Sequence, residues 1–114
     1  MSNATHKECL EIMLPIRDAL DILKGKWKLP IIISLSFGKK RFREIGNEIS
    51  GITDRVLSKE LKELEYNQLI KRTVHNTFPP SVEYEITEHG LSLGKVIMSL
   101  KDWGLSHREK ITKG

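Results

Sequence analysis

A mainly helical α+β domain with one β-hairpin is the fold class this sequence predicts, on three observations. Apolar residues recur at spacings of three and four through most of the 114 residues, the spacing drops to two between Ile70 and Ile86, and a glycine-centred break, Ser50-Gly51-Ile52, separates two short helical stretches. A chain of this length supports one core, which excludes a large multidomain enzyme. Charged residues make up 30% and apolar residues 39%, a balance that favours folding over disorder. No window approaches the roughly 18 apolar residues of a membrane span, so no membrane partner is expected.

Met1 to Ala4 carry neither the basic start nor the apolar stretch of a secretory leader. They are set aside as disordered or a cloning remnant, which leaves 5–114 as a single domain. Ile12, Ile16, Ala19, Leu20 and Leu23 then mark an N-terminal helix ending at Lys24-Gly25, with Pro15 near its start or at a kink. Lys28 to Ser36 carries an apolar run short enough for a strand, but Pro30 at a first-turn position favours a buried helix. A basic link, Lys39-Lys40-Arg41-Phe42, has room for a very short strand. Phe42, Ile45 and Ile49 give a short amphipathic helix over 43–49.

Gly51 takes a positive φ cheaply and Thr53 is a good N-cap, so a second helix is expected through Leu57, Leu61 and Leu64 to about Asn67. Ile70, Arg72 and Val74, then Val82, Tyr84 and Ile86, define the hairpin, whose connection holds Pro79-Pro80 and stays outside the regular sheet. Thr87 is expected to cap one last helix over about 88–109, roughly 33 Å long. Its stripe of Leu93, Val96, Ile97, Leu100 and Trp103 is long for so small a core.

A helix, a tight turn with glycine, a second helix and a hairpin make a winged helix-turn-helix. An α-helix fits the major groove of B-DNA, and the hairpin can reach the neighbouring backbone or minor groove. At about 100° per residue, the Leu57-Leu61-Leu64 stripe leaves Arg55, Lys59, Lys62 and Tyr66 on the opposite face, Ser58 at its margin and Thr53 at its start. Arginine can bridge guanine O6 and N7, and lysine neutralises phosphates. The competing reading is a solvated face in which Glu63 pairs with Lys59 or Lys62. Lys39, Lys40, Arg41 and Arg43 before the first helix, and Arg72, His75 and Asn76 on the wing, are candidate backbone contacts; the alternatives are a soluble loop and a polar hairpin edge. The net charge of +4 and a pI near 9.3 agree with a polyanionic partner but are common in ordinary proteins.

The separated motifs Leu20-Asp21-Ile22-Leu23-Lys24-Gly25-Lys26-Trp27, Arg41-Phe42-Arg43-Glu44-Ile45, Gly51-Ile52-Thr53-Asp54-Arg55-Val56-Leu57-Ser58 and Leu61-Lys62-Glu63-Leu64-Glu65 together resemble the HxlR-type transcriptional regulators, relatives of the MarR fold. Pro79 to Thr87, Gly90 and Trp103-Gly104 complete the match, which runs from about Pro15 to Trp103. The resemblance implies a homodimer on a pseudo-palindromic double-stranded DNA operator. It implies a recognition helix at about 53–67 and a wing at about 70–87. It also implies a dimer interface built from the first and last helices, assigned here to Ile12, Ile16, Leu93, Val96, Ile97, Leu100 and Trp103.

Many relatives carry a cysteine before the proline of the first helix, and in some it senses oxidants; here Leu14 stands before Pro15. Cys9, the lone cysteine, lies five residues earlier. A single thiol fits a reducing cytoplasm. Lys7 and His6 favour a thiolate there while Glu8 and Glu11 oppose it, so Cys9 is carried as a candidate redox residue beside a plain structural thiol. An unknown small-molecule or redox effector stays open. Four scattered histidines, one cysteine and no glycine-rich phosphate loop argue against an enzyme, a metal site or a cofactor. The rival function is a winged helix that binds protein, which an acidic or apolar exposed face would have favoured.

Overall fold

The computed structural model describes residues 5–113; the expectation for Met1 to Ala4 lies outside them. The chain folds in the order α1 (His6–Ile22), α2 (Lys28–Ser36), β1 (Lys40–Arg41), α3 (Phe42–Glu48), α4 (Asp54–Tyr66), β2 (Ile70–His75), β3 (Ser81–Ile86), α5 (Glu88–Leu91) and α6 (Gly94–Lys113). The mainly helical fold with a hairpin is as expected. The wing, however, is a three-stranded antiparallel sheet in the order β1-β3-β2, because β1 pairs Lys40 with Tyr84 and Arg41 with Glu83. β2 and β3 run in register from Ile70 opposite Ile86 to His75 opposite Ser81. The connection 76–80 stays outside both strands, as its two prolines require.

One core joins α2, α3, α4 and the base of the sheet: Ile31, Ile32, Leu35, Ile45, Ile49, Leu57, Leu61, Leu64, Leu69 and Ile70 are all buried. Each of those side chains contributes about 1.5 to 3 kcal/mol on burial. The helix over 28–36 is thus a buried one, and Pro30 sits in its first turn where no backbone donor is needed.

Two helical expectations are corrected. α1 begins at His6, capped by Thr5, whose Oγ1 accepts from the Glu8 amide, and it ends at Ile22 rather than at Lys24-Gly25. Pro15 therefore lies mid-helix, where it has no N–H to offer the carbonyl of Glu11. The single last helix is in fact two. Thr87 caps only α5, its Oγ1 accepting from the Gly90 amide and donating to the carbonyl of Gln68. Gly90 is pressed so hard onto the hairpin that a Cβ there would fall 2.3 Å from the Leu69 carbonyl oxygen. The chain turns at Ser92-Leu93 before α6 leaves the body.

No residue of α1 or α6 is buried. The radius of gyration is 17.4 Å and the long axis 62 Å, against roughly 13 Å for a compact chain of this size. The terminal helices stand out from the body as arms.

Candidate nucleic-acid interface

The site is the outer face of α4 with the wing beside it. Gly51, at φ +86°, makes the turn that lets α4 start directly after α3. Thr53 is the N-cap, its Oγ1 accepting from the Val56 amide at 3.2 Å. Leu57, Leu61 and Leu64 are buried and fix the rotation of the helix, so Thr53, Arg55, Lys59 and Lys62 are exposed, with Ser58 partly so and Tyr66 at the far end. A cleft of about 270 Å³ between Ser58, Lys62 and Glu65 of α4 and Arg72 and Tyr84 of the sheet sets the wing alongside that face.

Charge pairing sorts the predicted cations. Among the described residues, Arg55, Lys59, Lys62 and Arg72 have no carboxylate within 4.0 Å. The pairing of Glu63 with Lys59 or Lys62 does not form: Glu63 turns to Lys28 of α2, 2.9 Å away. Arg43 meets Asp54 at 3.9 Å across the helix-turn-helix, both exposed, a contact worth little energy but one that offsets the carboxylate at the start of α4. Lys39 and Arg41 are exposed, and the Arg41 amide donates to Glu44. Asn76 is exposed near the wing tip, where the Phe78 ring is fully exposed.

Two of the expected backbone contacts are committed elsewhere. Lys40 points inward, its side chain 14% exposed, bonding the Ser34 carbonyl and pairing with Glu48 at 3.3 Å. His75 is engaged by Glu83 of the neighbouring strand. Ser34 donates to Glu48 at 2.7 Å; that hydrogen bond, with the charge of Lys40, holds the Glu48 carboxyl below the ordinary carboxylate range.

A buried ion cluster was not foreseen. Lys28, 4% exposed, donates to Glu60 at 2.6 Å and to Glu63 at 2.9 Å, tying α2 to α4. Burial works against its charge, but the hydrogen bonds and charges of both glutamates outweigh that and hold the ammonium above its ordinary pKa. The signal was present in the sequence: Glu60 falls inside the apolar stripe, three residues after Leu57 and four before Leu64.

The apolar residues expected at a dimer interface divide. Leu93 and Ile97 pack against the protomer's own core. Ile12, Ile16, Val96, Leu100 and Trp103 are exposed, and Trp103 stacks on His107 one turn along, ring centres 4.8 Å apart. Cys9 is exposed in the first turns of α1.

A basic outer helix in a helix-turn-helix, flanked by a sheet wing, defines a winged-helix regulator. Residues 22–112 match the family model for the HxlR-like helix-turn-helix, and the chain belongs to that family. It is 43% identical over 99 residues to the HTH-type transcriptional regulator YdeP of Bacillus subtilis, spanning 87% of this chain and 77% of that one. Among solved structures it is similar to the HTH-type transcriptional regulator ytcD, with a TM-score of 0.81 at 39% identity, over 85% of this chain and 99% of that one. It is also similar to the redox regulator HypR in its reduced form, with a TM-score of 0.80 at 37% identity, over 88% and 99% of the two chains. The protein is thus a transcriptional regulator of the helix-turn-helix class. No helix among the described residues is long and apolar enough to cross a membrane.

Proposed function

We propose that the protein acts as a homodimer that binds a pseudo-palindromic duplex in the cytoplasm, each α4 lying in a major groove and each wing on the adjacent backbone. The observation that carries this reading is the exposed face of α4, where Arg55, Lys59 and Lys62 have no carboxylate within 4.0 Å among the described residues. Three such cations on a helix that fits the groove suit DNA better than a protein partner or a catalytic role. Thr53 and the first amides of α4 receive a phosphate, Arg55 and Ser58 face base edges, and Lys59 and Lys62 neutralise the backbone. Arg72, Asn76, Lys39, Arg41 and Arg43, whose contact with Asp54 is long and exposed, extend the contact; Lys40, held inward by Ser34 and Glu48, and His75, held by Glu83, do not. The exposed stripes of α1 and α6 supply the dimer contact, which sets the two recognition helices about one DNA turn, roughly 34 Å, apart.

The test is selection of duplexes from a random pool, followed by titration of the best sequence. An enriched inverted repeat is expected, and Arg55→Ala is expected to cost about 1 to 3 kcal/mol on it while relaxing preference at one base pair. An equal loss on scrambled duplex removes Arg55 from base reading. Selection without any enriched sequence overturns the regulator's proposed site and favours the protein-binding role.

A further inference from the structure

The cluster at the junction of α2 and α4 contains one carboxylate more than a buried ammonium requires. Glu60, 7% exposed, already pairs with Lys28 inside the protein. Glu63 sits on the shoulder of α4, its side chain 39% exposed, and still reaches back to the same nitrogen. It stands four residues after Lys59 and next to Lys62, the spacing at which a helix pairs opposite charges on its own surface. An unrestrained carboxylate at this position would cancel one of those lysines and set a negative charge beside the phosphates. Instead it points into a groove of about 340 Å³ between the end of α1 and the edge of α4, among Asp21, Lys24, Lys62 and Tyr66. The hydrogen bond from Lys28 holds the Glu63 carboxyl below its ordinary range, and the charges of Lys28, Lys59 and Lys24 add to that effect.

We propose that Lys28 is a positioning residue for the DNA-binding face: by drawing Glu63 across to α2 it keeps Lys59 and Lys62 unpaired. The inference rests on the assignment of α4 to the major groove. Lys28 touches no DNA in this arrangement and acts through the lysines it leaves free.

The test is a cycle of four proteins, the wild type, Lys28→Met/Glu60→Met, Glu63→Gln and all three changes together, titrated with the selected duplex at several salt concentrations. The double change replaces the buried pair with apolar side chains, a swap that folding often tolerates. It strands Glu63, and binding is expected to weaken about three- to tenfold, with a salt slope shallower by about one ion. Glu63→Gln alone is expected to change affinity less than about twofold, since Lys28 already holds that carboxylate away from Lys59 and Lys62. The triple variant is expected to return to within about twofold of the wild type, with the slope restored. A wild-type slope in the double variant overturns the proposal, and so does a triple variant as weak as the double, because the cluster would then act through architecture alone. Should thermal melts find the double variant unfolded, Glu63→Gln decides by itself: binding tightened about tenfold overturns the proposal, because the carboxylate would then already be opposing DNA in the wild type. A wild-type protein that binds no duplex in a salt-dependent way overturns the DNA assignment itself, a result distinct from all of these.

Discussion

Leu57, Leu61 and Leu64 of α4 are each 1% exposed or less, whereas Leu20 of α1 and Trp103 of α6 are 64% and 66% exposed. Both sets belong to regular apolar stripes. Periodicity says which face of a helix is apolar, but a chain of this size decides which of its stripes it can cover itself. The central body closes its core with α2, α3, α4 and the sheet base, and α6 spends only Ile97 on it, with Leu93 just before the helix. What remains on the arms suits a second copy of the chain, so body and arms are expected to answer mutation differently.

The largest expected effect lies in the body. Leu61→Ala should lower the unfolding free energy by about 2 to 5 kcal/mol, since the surrounding α2 and sheet collapse only partly into the void. Urea unfolding should show that loss at every protein concentration. Leu100→Ala combined with Trp103→Ala removes apolar side chains that the protomer leaves exposed. In dilute samples the midpoint should stay near that of wild type, while the rise of the midpoint with protein concentration disappears and sedimentation shifts to the monomer. A concentration-independent loss as large as that of Leu61→Ala would mean that the arms pack within one protomer, and the contrast would be gone.

Much of the body was legible in the sequence because its signals are local. The Gly51 turn, the Thr53 cap and the Leu57-Leu61-Leu64 stripe act within a few residues of one another, and α4 begins and ends within a residue of expectation. The basic face followed from the same stripe. What escaped depended on partners distant in the chain. The break after α5 falls where Gly90 packs on Leu69, 21 residues earlier; Gly90, Ser92 and Gly94 are breaking signals in the sequence, outweighed there by the regular spacing of Leu93, Val96, Ile97, Leu100 and Trp103. Lys40 looked like one more basic loop residue until β1 paired with β3 and turned it toward Ser34 and Glu48. Glu63 looked like a partner for Lys59 because helical spacing allows it, but Lys28, 35 residues away, takes it instead.

The ion pairs of the body give the comparison a pH dependence. Glu63 and Glu48 are held below the ordinary value of 4.5, Glu63 chiefly by the Lys28 hydrogen bond and Glu48 chiefly by that of Ser34. Their contribution is complete above 4.5 and lost as pH falls through the lowered values. Lys28 is held above 10.5, so its contribution is complete below 10.5 and lost as pH rises through the raised value. Thermal midpoints measured across pH should therefore fall at both ends, and Glu63→Gln should flatten the acid limb. An acid limb unchanged in that variant would assign the acid sensitivity to other carboxylates.

The smallest expected difference isolates context from chemistry. Thr5 caps α1 and Thr53 caps α4 with the same bond, Oγ1 accepting from the amide three residues on at 3.2 Å. Losing such a cap costs about 1 kcal/mol when the helix folds with the rest of the domain. Thr53→Ala should show that cost in global unfolding, because α4 carries Leu57, Leu61 and Leu64 into the core. Thr5→Ala frees the first turn of a helix that buries nothing of its own, so in dilute samples the global unfolding free energy should be unchanged. Its effect should instead appear as faster hydrogen exchange at the amides of Glu8 and Cys9, which bond to Thr5. Equal losses in global unfolding from the two substitutions would show that α1 folds cooperatively with the body even without a partner, and that the arm is held by the body rather than by a second copy.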